Sequence, residues 1–350
     1  MSLIIAISFV SCNKNDNGTP YAPNIKPATG LYVLNEGNFT YANSSLSYYD
    51  IKADTIANNV FYRVNGSPIG DVAQSLTKIG DDLYIVVNNS KYIYKVDAQT
   101  ILYKAKIAGF TSPRYMLPVS DSKAYVTDIV SPGFWSMDLA TYEKHLVSTG
   151  KTTECMVKVG NEVFMSNWSK SYVDFENNTV QVIDCDSDEL IAEIEVAKEP
   201  KAMVLDKHNK IWVICNGGWD PSETQEPALI CIDPATRQVV KRFDFTPGAD
   251  SPDGLAIDGA GENIFFMNGT FGGLNLYKMS VDATQLPDSA YIASAGRSFY
   301  GLTVDPVRGD IYLTDTKNYV QNGDLLRYSS DGTMLSTHEL GIIPSYMLFN

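Results

Sequence analysis

The chain has 350 residues, of which 44 % are hydrophobic and 19 % charged, a composition that can bury a substantial core and excludes a disordered protein. Its 27 Lys and Arg against 41 Asp and Glu give a formal net charge of −14, which argues against binding the phosphate backbone of a nucleic acid. Aromatic residues are abundant, with 21 Tyr, 14 Phe and 4 Trp.

The amino-terminal segment has the character of an export signal. Residues 3–10 are apolar but too few to span a bilayer. The sequence Phe9-Val10-Ser11-Cys12 resembles a bacterial lipobox, whose cysteine is acylated; the alternative is a frayed apolar end. We predict three parts: residues 1–12, a lipoprotein signal remnant with Cys12 as the lipidation site; 13–29, a flexible tether; and 30–350, a single folded domain.

The remaining cysteines lie in apolar runs without a C-x-x-C spacing, at positions 155, 185, 215 and 231. This pattern favours buried structural thiols. A bridge between Cys215 and Cys231 stays open for an exported protein, because sequence alone does not settle pairing.

One short motif returns seven times along the chain. It is an apolar run with an aromatic residue in second place that closes on Asn or Asp, as in Leu31–Asn35 and Ile311–Asp315. Successive rings are 39 to 53 residues apart, and they are Tyr32, Tyr84, Tyr125, Phe164, Trp212, Phe265 and Tyr312. We interpret these rings as core markers.

A second motif runs in step with the first and begins at a Met or Leu. Six instances precede a ring of the first motif by 8 to 10 residues, which fits one strand, a tight turn and the next strand. The instances are Leu76, Met116, Met156, Met203, Leu255, Leu302 and Met347. Met347 has no following ring and Tyr32 has no preceding run, so the two unmatched strands complete one another if the chain ends meet.

Two further strands follow most of these pairs, many of them ending on Asp and a turn. Four strands per repeat of about 40–50 residues are typical of a β-propeller blade. We therefore predict an all-β fold, a seven-bladed β-propeller of four-stranded antiparallel blades. The closing blade combines an inner strand from residues 343–349 with outer strands that start at Leu31.

Labelling the strands a to d outward from the channel places the b–c and d–a connections on one face, the top face. The a–b turns on the other face are short and polar, whereas the b–c connections hold large rings. These rings are Phe39, Tyr41, Phe134, Trp135, Trp168, Tyr172, Trp219, Phe271 and Tyr319. Individual rings can pack between blades, but as a group they predict a binding surface.

A second set of side chains is expected at the channel mouth. Two positions before each strand-a Met or Leu stand Gln74, Arg114, Glu154, Lys201, Asp253, Tyr300 and Ser345. From this region we take Arg114, Tyr115, Asp253, Tyr300 and Tyr346 as candidate ligand-binding residues. The candidates from the b–c connections are Phe39, Tyr41, Trp135, Trp168, Tyr172, Trp219, Phe271 and Tyr319. The Asn and Asp at the strand-b ends are explained as well by turn closure.

Enzymatic signatures are weak. The run Ser251–Asp258 resembles the Pro-Asp-Gly-Leu segment of calcium-dependent lactonases, but Lys201 and Arg114 stand near the two carboxylates that a hard cation would need. Three separated histidines do not make a metal cluster or a triad, and no phosphate loop or nucleophile elbow is present in the sequence. We therefore expect no catalytic residue, no metal and no catalytic cofactor, with lactonase as the minor alternative.

The repeated Tyr-Val/Ile-x-Asn strands resemble the YVTN-type surface-layer β-propellers over residues 30–350. With the lipobox-like Cys12, the chain resembles propeller lipoproteins of Bacteroidota, one (BtuG-type) branch of which captures cobalamin above a TonB-dependent transporter. The resemblance implies a lipid-anchored outer-membrane protein, at the cell surface or otherwise periplasmic, that binds a large amphipathic nutrient, with cobalamin as lead candidate and a transporter as partner. The alternative from another class is an envelope scaffold that docks a protein or glycan.

Overall fold

The computed structural model describes residues 21–26, 29–169, 177–218, 225–248, 251–270 and 272–350. Within them, seven small antiparallel sheets follow one another along the chain. Blade 1 consists of β1 (Gly30–Asn35), β2 (Ser45–Asp50), β3 (Thr55–Ala57) and β27 (Pro344–Phe349). Blade 2 consists of β4 (Ala73–Ile79), β5 (Asp82–Val87), β6 (Tyr92–Asp97) and β7 (Tyr103–Ala108). Blade 3 consists of β8 (Pro113–Pro118), β9 (Lys123–Asp128), β10 (Gly133–Asp138) and β11 (Lys144–Ser148).

Blades 4 and 5 consist of β12 (Met156–Val159), β13 (Glu162–Ser166), β14 (Thr179–Asp184) and β15 (Leu190–Glu195), then β16 (Pro200–Leu205), β17 (Ile211–Cys215), β18 (Ala228–Asp233) and β19 (Gln238–Asp244). Blades 6 and 7 consist of β20 (Asp253–Ile257), β21 (Asn263–Asn268) and β22 (Asn275–Ser280), then β23 (Phe299–Val304), β24 (Ile311–Asp315), β25 (Asn322–Tyr328) and β26 (Met334–Ile342). The predicted seven-bladed propeller is confirmed.

Blade 6 departs from the common plan at its outer edge. It has three regular strands, and a single bridge between Leu276 and Ile292 stands where the other blades have a fourth strand. The sequence there, with Pro287 and Gly296, lacks the run of β-branched and aromatic residues that favours a strand.

One short helix, α1 (Val60–Asn65), lies between β3 and β4. It buries Val60 and Phe61 in the core cluster shared by blades 1 and 2. Within the described residues, no helix has the length and apolar character needed to span a bilayer.

The chain closes as predicted, because β27 pairs with β1 in the same sheet. The register sets Leu31 opposite Phe349 and Val33 opposite Met347. This pairing hydrogen-bonds the inner edge of β1, which would otherwise be free to pair with another chain.

The core lies between blades, and the second strand of each blade supplies its centre. All seven predicted core rings are at most 2 % exposed. Tyr32 donates its hydroxyl to the carbonyl of Ala98 in the next blade, and Tyr125 donates to the Asp188 carboxylate of the next blade. Each such bond joins two blades and satisfies a buried polar group.

The four described cysteines are free, so the Cys215–Cys231 bridge that the sequence left open is not formed. In the β17–β18 register, Cys215 faces Ala228 and Cys231 faces Trp212. An offset of three residues along paired strands puts the two thiols beyond the reach of a disulfide.

Candidate functional site

The inner strands of the propeller are irregular where they reach the channel mouth. Register shifts occur between Ala73 and Ser75, Pro113 and Met116, Pro200 and Met203, Asp253 and Leu255, and Phe299 and Leu302, and β1 shifts against β27 at the same level. A β-bulge at such a point re-aims side chains. The bulges coincide with the predicted ring of mouth residues and account for its position.

Hydroxyl groups directly before the Asn or Asp that closes the strand-b motif support these bulges. They accept bonds from backbone N–H groups of the inner strands: Tyr115 to Thr127 (3.0 Å), Cys155 to Ser166 (3.0 Å) and Gly301 to Thr314 (2.7 Å). Ser166 Oγ also donates to the Lys201 carbonyl at 2.8 Å, and Thr314 Oγ1 to the Pro344 carbonyl at 2.6 Å. The same hydroxyl therefore holds a bulge and ties it to the next blade.

Blades 3 and 4 join at the mouth through a buried ion pair. Arg114 Nε and Nη2 donate to the two carboxylate oxygens of Glu154 at 2.7 and 2.8 Å, and Nη1 donates to Gln74 of blade 2. Arg114 is 8 % exposed and Glu154 is 1 % exposed. Burial alone would lower the pKa of Arg114, but the Glu154 carboxylate outweighs it and raises the pKa above its ordinary value.

Blades 5 and 6 join through a second ion pair that is more accessible. Lys201 Nζ lies 2.8 Å from both carboxylate oxygens of Asp253, and the side chains are 24 % and 32 % exposed. Asp253 Oδ1 also accepts the Gly254 N–H at 2.7 Å. Gly254 has a φ of +61°, and a Cβ there would stand 2.6 Å from the Met267 Cε, so this turn favours glycine.

Trp168 stands against the cations of both pairs. Its ring centroid is 5.0 Å from Lys201 Nζ and 5.6 Å from Arg114 Cζ, distances that suit cation–π attraction. The side chain is only 5 % exposed, and Thr152 Oγ1 donates to its carbonyl at 2.9 Å. Trp168 therefore forms part of the wall of the mouth and presents little free ring face.

Tyrosine side chains from blades 1, 3 and 7 line another side of the mouth. Tyr300 donates to Glu36 Oε1 at 3.4 Å and meets the Tyr319 ring edge-on at 5.9 Å. The Glu36 carboxylate and burial together raise the pKa of Tyr300 well above its ordinary value, so this phenol stays protonated. Tyr115 and Tyr346 lie with ring centroids 6.1 Å apart, and burial raises the pKa of Tyr346 to about 12.

Two exposed rings stand on the rim above this side. Phe39 is 65 % exposed and Tyr41 is 75 % exposed, both in the b–c connection of blade 1. Asn38 Nδ2 donates to the Tyr319 carbonyl at 2.6 Å, which ties this connection to that of blade 7. Val320, in that second connection, is 67 % exposed and extends the apolar rim.

The buried carboxylate of Glu199 binds two parts of one top-face connection. Glu199 is fully buried and accepts the backbone N–H groups of Ser169 and Asn177, each at 2.8 Å, and the hydroxyl of Ser169. Ser169 and Asn177 flank the b–c connection of blade 4. Neither Glu199 nor this arrangement was predicted from the sequence. The only indication in the sequence was that a Glu stands two residues before Lys201, at the start of an inner strand.

The placement of one pair of rings was wrong. Phe134 and Trp135 lie in β10, the third strand of blade 3, and not in the preceding connection. Asp128 closes a short turn by accepting the N–H groups of Val130 and Ser131, so strand c begins earlier than expected. Trp135 is half-buried and donates its indole N–H to Asp128.

Two further strand-b ends close turns, the alternative that the sequence left open: Asp315 accepts the N–H of Lys317 at 2.8 Å and Asn216 that of Gly218 at 3.4 Å. Other strand-b ends make longer-range bonds, since Asn88 and Asn167 donate to the carbonyls of Pro113 and Thr152. The candidate residues outside the described part of the chain are Cys12, Tyr172, Trp219 and Phe271.

Comparison with known protein families identifies the family of this chain. A family model described as a domain of unknown function, DUF5074, matches residues 29–350. The chain belongs to the DUF5074 family. No curated protein matches the sequence.

Solved structures share the fold of this DUF5074 protein. A quinonprotein alcohol dehydrogenase-like protein of Bacteroides thetaiotaomicron has a TM-score of 0.70 at 17 % identity, covering 92 % of this chain and 78 % of that one. The periplasmic gluconolactonase of Pseudomonas aeruginosa has a TM-score of 0.66 at 12 % identity, covering 91 % and 99 %. Hydrazine synthase of Kuenenia stuttgartiensis has a TM-score of 0.63 at 14 % identity, covering 78 % and 88 %. At these identities the likeness concerns the fold alone.

Proposed function

We propose that this DUF5074 protein is a lipid-anchored protein of the cell envelope that captures a large amphipathic ligand at the channel mouth and passes it to an outer-membrane transporter. The observation that carries the proposal is that the cations Arg114 and Lys201 at the mouth are each paired with a carboxylate. Arg114 is paired with Glu154, and Lys201 with Asp253, each across a blade boundary. A site of this kind favours a ligand without net charge, held by shape and many modest hydrogen bonds.

The remaining side chains at the mouth suit a wide ligand with polar edges. Tyr300 and Tyr319 offer ring surface, and Gln74 adds an amide. Cobalamin, which is broad, flat and rimmed with amides, is the lead candidate on these grounds and on the resemblance to propeller lipoproteins.

Titration of the full-length chain with cyanocobalamin in a calorimeter tests the proposal. We expect saturable heat at one ligand per chain. The double variant Tyr300→Phe/Tyr319→Ala should weaken binding about tenfold or more, since it removes a hydroxyl and a ring from the mouth. The matched variant Tyr62→Phe/Tyr103→Ala, on another surface, should bind as the wild type does. Absence of heat at several hundred micromolar ligand would refute cobalamin capture.

Binding is proposed over catalysis because the carboxylates at the mouth are engaged. Glu154 and Asp253 are those that a lactonase-type metal would need, and each carries a cationic partner at 2.8 Å or less. Within the described ranges, no three His, Cys, Asp or Glu side chains are grouped so as to hold a metal. A calcium-dependent thermal shift lost in Asp253→Asn would revive the lactonase alternative.

A second candidate function is supported by the exposed rim. Phe39, Tyr41 and Val320 together form an apolar edge of the kind that docks a partner protein or glycan. Affinity capture from envelope extract with the wild type and with Phe39→Ala/Tyr41→Ala tests this alternative. A partner lost only in the variant would favour a scaffold, and an unchanged set of partners would count against it.

A further inference from the structure

The outer side of blade 2 carries an exposed cluster that the channel mouth does not use. Tyr62 of α1 is 47 % exposed, and Leu102 and Tyr103 at the start of β7 are 55 % and 52 % exposed. Arg63 and Lys106 are exposed beside them. We call these five residues the blade 2 patch.

The patch is one continuous surface, because the side chain of Asn65 joins its two parts. Asn65 Nδ2 donates to the Ile101 carbonyl and Asn65 Oδ1 accepts the Tyr103 N–H, both at 2.9 Å. Tyr62 and Arg63 lie within one turn of Asn65 on α1.

The charge of the patch is opposite to that of the whole chain. Among the described residues, neither Arg63 nor Lys106 has a carboxylate within ion-pair distance. Instead Arg63 Cζ lies 3.6 Å from the centroid of the Tyr21 ring, and Lys106 Nζ lies 3.8 Å from that of Tyr92. Neighbouring Lys104, by contrast, is paired with Asp82 and Asp97. The patch therefore contains two cations without carboxylate partners among the described residues, in a chain of net charge −14.

The patch reaches the face opposite the channel mouth. Leu102 lies in the c–d turn of blade 2, and c–d turns are on the face of the a–b turns. The described segment 21–26 runs along this same face: Tyr21 packs under Arg63, and the Lys26 carbonyl accepts a bond from Asn350 Nδ2 at 2.9 Å. From position 12 to position 21 an extended chain spans at most about 30 Å.

We propose that the blade 2 patch docks on an anionic lipid surface. Tyrosine is favoured at the boundary between headgroups and acyl chains, where its ring is buried and its hydroxyl stays wet. Leu102 adds apolar contact, and Arg63 and Lys106 meet lipid phosphates. The inference goes beyond the proposed function, because the patch takes no part in ligand capture.

Flotation with lipid vesicles tests the inference. The full chain carrying Cys12→Ser, which removes the acylation site, is mixed with vesicles of phosphatidylglycerol and phosphatidylcholine at 3:7. We expect Leu102→Asp/Tyr103→Asp to lower the partition constant about tenfold, because it removes apolar contact and adds negative charge. The matched variant Phe39→Asp/Tyr41→Asp adds the same charge at two exposed rings of the top face and should stay within about twofold of its parent.

A second variant separates the contribution of positive charge to vesicle binding from that of apolar contact. Arg63→Gln/Lys106→Gln should lower partitioning on the anionic vesicles about tenfold and bring it close to the value on pure phosphatidylcholine. Any binding by residues 3–10 is common to all variants and cannot create a difference between the two double Asp variants. Equal partitioning of the two double Asp variants, or no flotation of the parent, would overturn the inference; the latter is also the result expected if the patch binds a protein. Calorimetry with cyanocobalamin is unaffected by the patch variants, so the two proposals fail separately.

Discussion

The two ion pairs at the channel mouth are chemically alike but differ in their surroundings. Arg114 and Glu154 are almost fully buried and bonded in a bidentate arrangement, with Gln74 as a third partner. Lys201 and Asp253 are a quarter to a third exposed. A buried pair is costly to break because one charge is left without solvent, whereas an exposed pair contributes little. The first pair therefore holds the mouth together, and the second is available to adjust to a ligand.

Removing the acid of the buried pair should have the largest effect. Glu154→Ala leaves the Arg114 guanidinium buried without its carboxylate, and we expect a loss of about 3–5 kcal/mol in the free energy of unfolding. Urea unfolding followed by circular dichroism measures the loss. A decrease below about 1 kcal/mol would show that water reaches Arg114 and that the two pairs are not different in kind.

Removing a bulge hydroxyl should have an intermediate effect. Thr314→Val leaves the Gly301 N–H and the Pro344 carbonyl without the Thr314 hydroxyl, and we expect a loss of about 1–3 kcal/mol. Thr314→Ser keeps the hydroxyl and is the matched control. If the two variants unfold at the same urea concentration, the hydroxyl does not support the mouth.

Breaking the accessible pair should cost little stability. For Asp253→Asn we expect a loss of at most about 1 kcal/mol in the free energy of unfolding, measured in the same urea series. The affinity for the ligand should change more than the stability, because the Lys201 charge becomes available at the mouth. A loss as large as that of Glu154→Ala would contradict the distinction between the pairs.

Replacing Asp54, an exposed carboxylate far from the mouth, should have the smallest effect on stability, and the effect should depend on pH. The Tyr49 hydroxyl first, and then His338, hold the pKa of Asp54 at about 2. A depressed carboxyl pKa adds stability above the unfolded value near 3.9, and this stability is lost as pH falls toward 2. Since the Asp54 side chain is half exposed, Asp54→Asn should cost less than about 1 kcal/mol at pH 7. The difference from wild type should vanish near pH 2; a constant difference would contradict the assigned pKa.

The sequence was sufficient for the repeat and its closure because each blade repeats the same local pattern. The strand-b rings and the unmatched Tyr32 and Met347 predicted seven blades and the β1–β27 pairing. The constant offset from strand a also indicated that Gln74, Arg114 and Glu154 lie at one level of the channel, and these three side chains are in contact.

What the sequence did not reveal depends on contacts between blades. The repeat offset indicated that Arg114 and Lys201 stand near Glu154 and Asp253, but not which side chains pair, because the partners come from neighbouring repeats about 40 to 50 residues away. The length of the b–c connection varies, which is why Trp135 was misplaced. The penultimate Thr or Ser of the strand-b motif was visible in the sequence, and its hydrogen bonds to the bulges explain why a small hydroxyl stands there.

The closing blade has a consequence for how the protein is made. Two residues of the mouth, Ser345 and Tyr346, are on β27, whose partner β1 leaves the ribosome first. At about 5–20 residues per second, synthesis from residue 35 to residue 344 takes on the order of 15–60 s. Throughout that time the inner edge of β1 is unpaired and the mouth is incomplete, so ligand competence cannot arise before the final strand has been made.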